Sequence, residues 1–322
     1  MNRDAVEQWL SRHLGPLTVA HLTQVSRGVS RETWSVDVIQ GGRRRELVIR
    51  RDHASGSVIP TPLRVEHDVY RALTGLPVAE VLLWDDAGPE GRPAYVRERV
   101  DGDWRLPVLA SDDPADDDER IRLSRAHLEA LAAVHAHDWR ALRRVLPCPP
   151  SAAQAAEHLV TTTRGLVEQL LAEPLPVLAM ACAALLARAP RDLPALALCK
   201  GTNGLGEEVW SGGRLVALSD WELARIGDPA YDLAQVQDMV PTINRDGRQL
   251  WDWGQALDHY NSVAPHPVTQ ERLQWYRDCY GLLQLSYAAN AAAHARSGSS
   301  LRFAWTGYEI AYHAERRLAA LC

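Results

Sequence analysis

Near the start of the chain, Val6, Trp9, Leu10 and Leu14 share one face of a predicted helix, which Gly15-Pro16 ends. The apolar period then shortens to two. Leu17–Val25 reads as a strand, followed by the glycine-containing turn Ser26–Glu32 (SRGVSRE). Thr33–Ile39 sets Trp34, Val36 and Val38 on one face of a second strand. Gln40-Gly41-Gly42 reverses the chain, and Leu47–Arg50 returns as the partner strand. The basic run Gly41–Glu46 falls at this reversal and is expected as a solvated hairpin tip. An antiparallel meander is predicted.

A helix follows, with Val65, Val69 and Leu73 on one side and Glu66 near its start. Short strands are expected around Val81–Trp84 and Ala94–Arg99, and the β-rich part ends at Gly102. The acidic segment Ser111–Arg120 reads as a solvated leader into a helix on which Leu128, Leu131, Val134 and His135 share a face. Helical periodicity dominates from there. The one strong β signal in this second part is EEVWSGGRLVALSDWE, which reads as strand, turn, strand. The expected division is a β-rich part over residues 1–102 and a larger helical part over 103–322.

Composition narrows the classes. With 322 residues, 46% hydrophobic and 24% charged, the chain has an ordinary soluble make-up and length for a sizeable core. A net charge of −6 gives none of the basic footprint of a nucleic-acid binder. The apolar run Val177–Ala187 is well short of the roughly 20 residues that span a membrane, and the charged, amphipathic start is unlike an export signal. Cys148, Cys182, Cys199, Cys279 and Cys322 are odd in number and form no CxxC pair. This argues against a zinc site or a disulfide framework, for a cytoplasmic setting, and for Cys199 as a buried structural thiol. Trp251, Trp253, Trp275 and Trp305 suit either the core or an apolar substrate pocket.

The glycine-rich loop Lys200–Glu207 (KGTNGLGE) resists the usual phosphate-loop readings. Gly201 and Gly206 have Walker spacing, but Glu207-Glu208 stand where that motif needs Lys-Ser/Thr. The glycines also miss the Rossmann spacing, and no parallel-sheet alternation surrounds them.

The whole order of phrases fits another pattern. GVSRETWSVDV with LVIRRD, then EHDVYRAL, GRPAYVRERVDG, LAAVHAHDW and RLVALSDWELARIGDPAYDLA run in sequence along nearly the entire chain. In this the chain resembles the aminoglycoside-phosphotransferase/choline-kinase-like superfamily, and is most similar to its acyl-CoA-dehydrogenase-associated branch. The resemblance implies an α+β, protein-kinase-like two-lobe fold, with a small antiparallel β-sheet N-lobe and a larger, mainly α-helical C-lobe. It implies transfer of a phosphate from ATP or GTP, with Mg²⁺, to the hydroxyl of a small molecule that is lipid-like or acyl-CoA-linked.

Residue by residue, the resemblance places Arg50 on the nucleotide phosphates, paired with Glu66. Gly28 and Ser30 would cover those phosphates, and the linker around Glu98, Arg99 and Val100 would meet the base through its backbone. Asp220 matches the family's magnesium-binding aspartate, whereas Asp228 and Asp232 are expected to cap and brace helices. The family's H-G-D-x-x-x-x-N loop is exchanged here: Lys200 stands for the histidine, Thr202 for the base aspartate and Glu207 for the metal-binding asparagine. Thr202 cannot take a proton as a carboxylate does, which in general costs about 10²–10⁴ in rate. Phosphoryl transfer depends less on a base than on positioning and charge neutralisation. Lys200 is thus open to two roles, stabilising charge at the transferred phosphate or locking the loop by an ion pair with Glu207 or Asp220. A catalytically silent binder of nucleotide or acyl-CoA, and a different reaction on the same scaffold, remain the alternatives.

Overall fold

The computed structural model describes residues 1–25, 30–54, 56–57, 59–104, 106–203, 208–296 and 301–322, apart from the side chains of Pro107 and of residues 301–309. The expectations for Gly28, for Glu207 and for the side chain of Trp305 therefore lie outside the described residues.

Asn2 starts α1 (Arg3–Leu14), its Oδ1 accepting from the backbone N–H groups of Asp4 and Ala5. Val6, Trp9 and Leu10 are buried against Val19, Val36, Val38, Leu47 and Ile49 of the sheet. The sheet contains β1 (Thr18–Val25), β2 (Arg31–Gln40) and β3 (Arg43–Asp52). After α2 (Leu63–Ala72) come β4 (Val81–Asp85) and β5 (Ala94–Glu98). The spatial order is β1-β2-β3-β5-β4, antiparallel at each step. The meander holds for β1–β3, while the last pair enters with β5 inside and β4 at the edge.

The basic run departs from expectation. Gly41 and Gly42 both have positive φ (56° and 76°), so two residues suffice to close the hairpin. Arg43, Arg44 and Arg45 consequently belong to β3, opposite Gln40, Ile39 and Val38. Their charge is matched locally: Arg44 pairs with Asp37 and Glu46, and Arg45 with Glu98.

The remainder is mainly helical: α3 (Asp117–Ala136), α4 (Ala155–Leu170) and α5 (Pro176–Ala187) precede β6 (Ala197–Cys199), β7 (Glu208–Ser211), β8 (Arg214–Leu218) and β9 (Arg225–Gly227). Then follow α6 (Ala230–Val236), β10 (Ile243–Arg245), β11 (Arg248–Trp251), α7 (Trp253–Val263), α8 (Gln270–Arg296) and α9 (Leu301–Ala319). The β7–β8 hairpin is the one read from sequence; the pairs β6–β9 and β10–β11 are additional. Trp251 and Trp275 are buried in the helical core with Leu128, Leu159, Leu233 and Leu282, and Trp253 packs at its edge. No helix among the described residues is long and apolar enough to cross a membrane.

Candidate active site

Register on three strands aims Arg50 at α2. It sits in β3 opposite Thr33 on one side and Tyr95 on the other. Its Nη1 donates to Thr33 Oγ1 (2.9 Å), and its Nη2 lies 3.1 and 3.3 Å from the two carboxylate oxygens of Glu66. The same Nη2 is 3.7 Å from Asp220 Oδ1, beyond the end of β8, and 3.9 Å from Glu222 Oε2. Residues 50, 66 and 220, nominated from separate phrases of the sequence, thus converge. Asp220 adopts φ = 64°, a left-handed conformation that costs a non-glycine residue about 1 kcal/mol. Its Oδ1 is buried without a hydrogen-bond partner, as is Arg50 Nε.

Two residues of this cluster were not nominated. Arg31, fully buried at the start of β2, donates from Nε to Glu222 Oε2 (3.2 Å) and from Nη2 to the Thr61 carbonyl (2.5 Å). It also pairs with Asp52, and its Nε is 3.5 Å from Glu66. Two arginines and three carboxylates therefore share one buried volume where the sheet meets the turn after β8. Burial alone would raise Glu66, but Arg50 and Arg31 outweigh it and hold its carboxyl below the usual range. Burial raises Asp220 despite Arg50. Burial, and then the charge of Asp220, pushes Glu222 up to about 8.

These shifts have a definite sign. A carboxyl whose folded pKa exceeds its unfolded one, near 4.5, contributes stability that is complete below that value and is lost as pH rises towards 8. Urea midpoints are accordingly expected to fall between pH 5.5 and 8.5, and Glu222→Gln is expected to flatten that slope. An unchanged slope in the variant would remove Glu222 as its source.

The loop from Lys200 is held from below by Asp232. One carboxylate oxygen accepts from the Lys200 N–H (2.6 Å), the other from the Gly201 N–H (2.9 Å) and from Asn203 Nδ2 (3.0 Å). His135, on α3, is 3.0 Å from Asp232 through Nε2 and 2.6 Å from the Tyr260 hydroxyl through Nδ1. Gly201 is obligatory: φ is 85°, and a Cβ would collide with the Leu223 carbonyl. Lys200 is fully buried, and its Nζ donates to the carbonyl of Thr202 in its own loop. Among the described residues no carboxylate comes within 4.0 Å of it, so the lock to Asp220 does not form as an ion pair; Glu207 is not described. Thr202 Oγ1 is buried and unpartnered.

Ser30 stands one residue before β2. In the linker, the N–H groups of Glu98 and Arg99 donate to the carbonyls of Glu80 (2.8 Å) and Glu46 (2.9 Å). The sheet uses both of these amides. Asp228 accepts from the Ala230 N–H (2.9 Å) and pairs with Arg272 (2.7 Å), a bracing role like that of Asp232.

As a metal ligand, Asp220 is suited by its unpartnered oxygen, and Glu222 stands beside it. The other acidic cluster, His135–Cys199–Asp232, has its ligand atoms within 4.8 Å of one another. Hydrogen bonds already fill it: the Cys199 thiol, pushed up by burial, donates to the Asp228 carbonyl, and Asp232 is saturated as described.

An arginine of a five-stranded sheet paired with a glutamate of the adjoining helix, facing an aspartate that follows a hairpin in a helical body, defines a kinase-like phosphotransferase fold. Residues 21–266 match the phosphotransferase enzyme family, and the chain belongs to that family. Among curated relatives, the acyl-CoA dehydrogenase family member 11 proteins of Mus musculus and Gallus gallus are 26% and 25% identical over 75% and 87% of the chain. The chain spans only about a third of their length (32% and 36%). Among solved structures, a Ralstonia eutropha protein assigned as an aminoglycoside phosphotransferase superposes with a TM-score of 0.69 at 20% identity, covering 99% of this chain and 98% of that one. The aminoglycoside phosphotransferase APH(4)-Ia, in complex with AMP-PNP and hygromycin B, gives 0.62 at 18% identity over 98% and 97%. The macrolide 2′-phosphotransferase of Brachybacterium faecium gives 0.60 at 18% over 98% and 97%.

Proposed function

We propose that the chain is a small-molecule phosphotransferase that moves the terminal phosphoryl group of ATP or GTP to an acceptor hydroxyl. The observation that carries this reading is the meeting of Arg50, Glu66 and Asp220, whose Oδ1 has no hydrogen-bond partner. We divide the chain at Gly102, with the nucleotide between residues 1–102 and 103–322. Arg50, oriented by Glu66, would supply the cation for the phosphates, whose oxygens suit a guanidinium. Ser30 and Gly28 cover them, and the linker at Glu98–Val100 receives the base through backbone groups.

Mg²⁺ bound here would draw the phosphate oxygens together and neutralise the charge that develops on transfer. Asp220 would hold it, with Glu207 as second ligand and Glu222 nearby. Lys200 and Thr202 line the loop where transfer takes place, and Asp232 fixes that loop from behind. The branch resemblance and the acyl-CoA dehydrogenase family member 11 relatives support an acceptor that is lipid-like or acyl-CoA-linked. The scattered, unpaired cysteines support a cytoplasmic setting.

The exchange at Thr202 favours a second reading, a binder of nucleotide or acyl-CoA with slow or no transfer. One experiment separates the two. Release of ADP or GDP that depends on an added hydroxylated acceptor supports transfer, whereas Mg²⁺-dependent nucleotide binding with no such release across an acyl-CoA and lipid-alcohol panel supports the binder. Absence of nucleotide binding would overturn transfer, and absence of both nucleotide and acyl-CoA binding would overturn both.

A further inference from the structure

The side of the sheet that carries Arg50 continues towards the linker. Directly opposed residues of a strand pair share a side, so Arg50 shares its side with Tyr95. Two residues back along β3, Val48 lies on that same side, opposite Arg97 of β5. Strand β5 ends at Glu98, where the linker starts. A nucleotide with its phosphates at Arg50 and its base at the linker therefore passes over Val48 and meets Arg97.

Arg97 is the exception among the arginines around it. Arg31, Arg45, Arg50 and Arg99 each lie within 4.0 Å of a carboxylate. Arg97 comes that close to none among the described residues. It is half-buried, with Cζ 5.7 Å from the centre of the Tyr70 ring. Its Nε is buried without a partner, and its Nη1 reaches the Glu98 carbonyl only at 3.5 Å, beyond the usual range. The charge of Arg97 bears on Glu66, but Arg50 and Arg31 already hold that carboxylate. A guanidinium drawn out of water and short of acceptors favours a ligand that brings them.

The chemistry of the two purines separates them here. Arginine has donors and no acceptor. Guanine presents two acceptors, O6 and N7, on the edge where adenine presents N7 and the donor N6 amino group. Against adenine, a donor would face a donor. We propose that Arg97 selects the phosphate donor: its guanidinium donates to the O6/N7 edge of guanine, and the chain uses GTP in preference to ATP. This inference rests on the phosphotransferase reading, with the nucleotide lying between Arg50 and the linker. Stacking of a base on the guanidinium would not tell the purines apart, so the preference itself is the signature of edge contact.

The test titrates the whole chain with GDP, IDP and ADP in the presence of Mg²⁺, read by calorimetry. GDP is expected to bind about ten- to a hundredfold more tightly than ADP. IDP, which keeps O6 and N7 but lacks the 2-amino group, is expected to follow GDP. Arg97→Met keeps an apolar stem against Tyr70 and removes the donors; it should bring GDP and IDP down to the affinity of ADP. Arg97→Gln can accept from N6 and donate to N7, and should move the ratio further towards ADP. A purely structural role for Arg97 would instead weaken all three ligands alike. Equal binding of GDP and ADP by the wild-type chain, or a guanine preference that survives in Arg97→Met, would overturn the inference and leave the phosphotransferase reading in place. The wild-type ratio decides even where a variant fails to fold. Binding of none of the three would overturn the inference together with the transfer reading beneath it.

Discussion

Asp220→Asn is expected to lower acceptor-dependent phosphate transfer by about 10³-fold, because holding the metal is worth several kcal/mol of transition-state charge stabilisation. The substitution is unusually clean. Asn tolerates the left-handed backbone that Asp220 adopts at φ = 64°, so the turn after β8 should be preserved. The variant also removes a carboxylate whose ionised form is disfavoured by burial and by Glu66, so the melting temperature should hold or rise. A fall in activity with undiminished stability is what separates a metal ligand from a brace. The second readout is nucleotide affinity with and without Mg²⁺: the wild-type chain should bind more tightly with the ion, and the variant should lose that difference. Transfer within about threefold of wild type would remove Asp220 from the metal site.

The parts of the site that sequence made legible are those carried by contiguous phrases. LVIRRD gave Arg50, EHDVYRAL gave Glu66 and SDWE gave Asp220, and the structure brings all three within one cluster. Arg31 and Glu222 escaped because their significance is a contact across 191 positions of chain. Arg31 lies in a segment that reads as a surface turn, and Glu222 stands at the very end of the phrase that reads as strand, turn, strand. Burial alone makes them a pair. In the fold, patterns several residues long were readable. The three-residue strands β6, β9 and β10 were not, since so few positions cannot display a period of two. The arginines after Gly42 were misplaced because composition suggested a loop where turn geometry allowed only two residues.

Restoring an aspartate at position 202 is expected to raise transfer, provided that the neighbouring cation is removed with it. The frame for this exchange is already fixed. Asp232 holds the amides of Lys200 and Gly201, and Gly201 lies so close to Leu223 that the backbone has nowhere to shift. The unpartnered Thr202 Oγ1 marks where the new carboxylate begins. In the single variant Thr202→Asp, Lys200 would sit beside that carboxylate and lower its basicity, so only a small gain is expected. The double variant Lys200→His/Thr202→Asp frees the carboxylate to accept the hydroxyl proton. A positioned base contributes about 10²–10⁴, and the loose character of phosphoryl transfer puts the expected gain near the lower end, about 10²-fold in kcat. The KM for nucleotide should not change, since neither position belongs to the linker or to the Arg50 cluster. If Lys200 instead serves the transferred phosphate directly, the double variant should lose activity, and Lys200→His alone should account for the loss. The sign of the change in kcat therefore distinguishes a loop that has traded away its base from one that has replaced it with a cation.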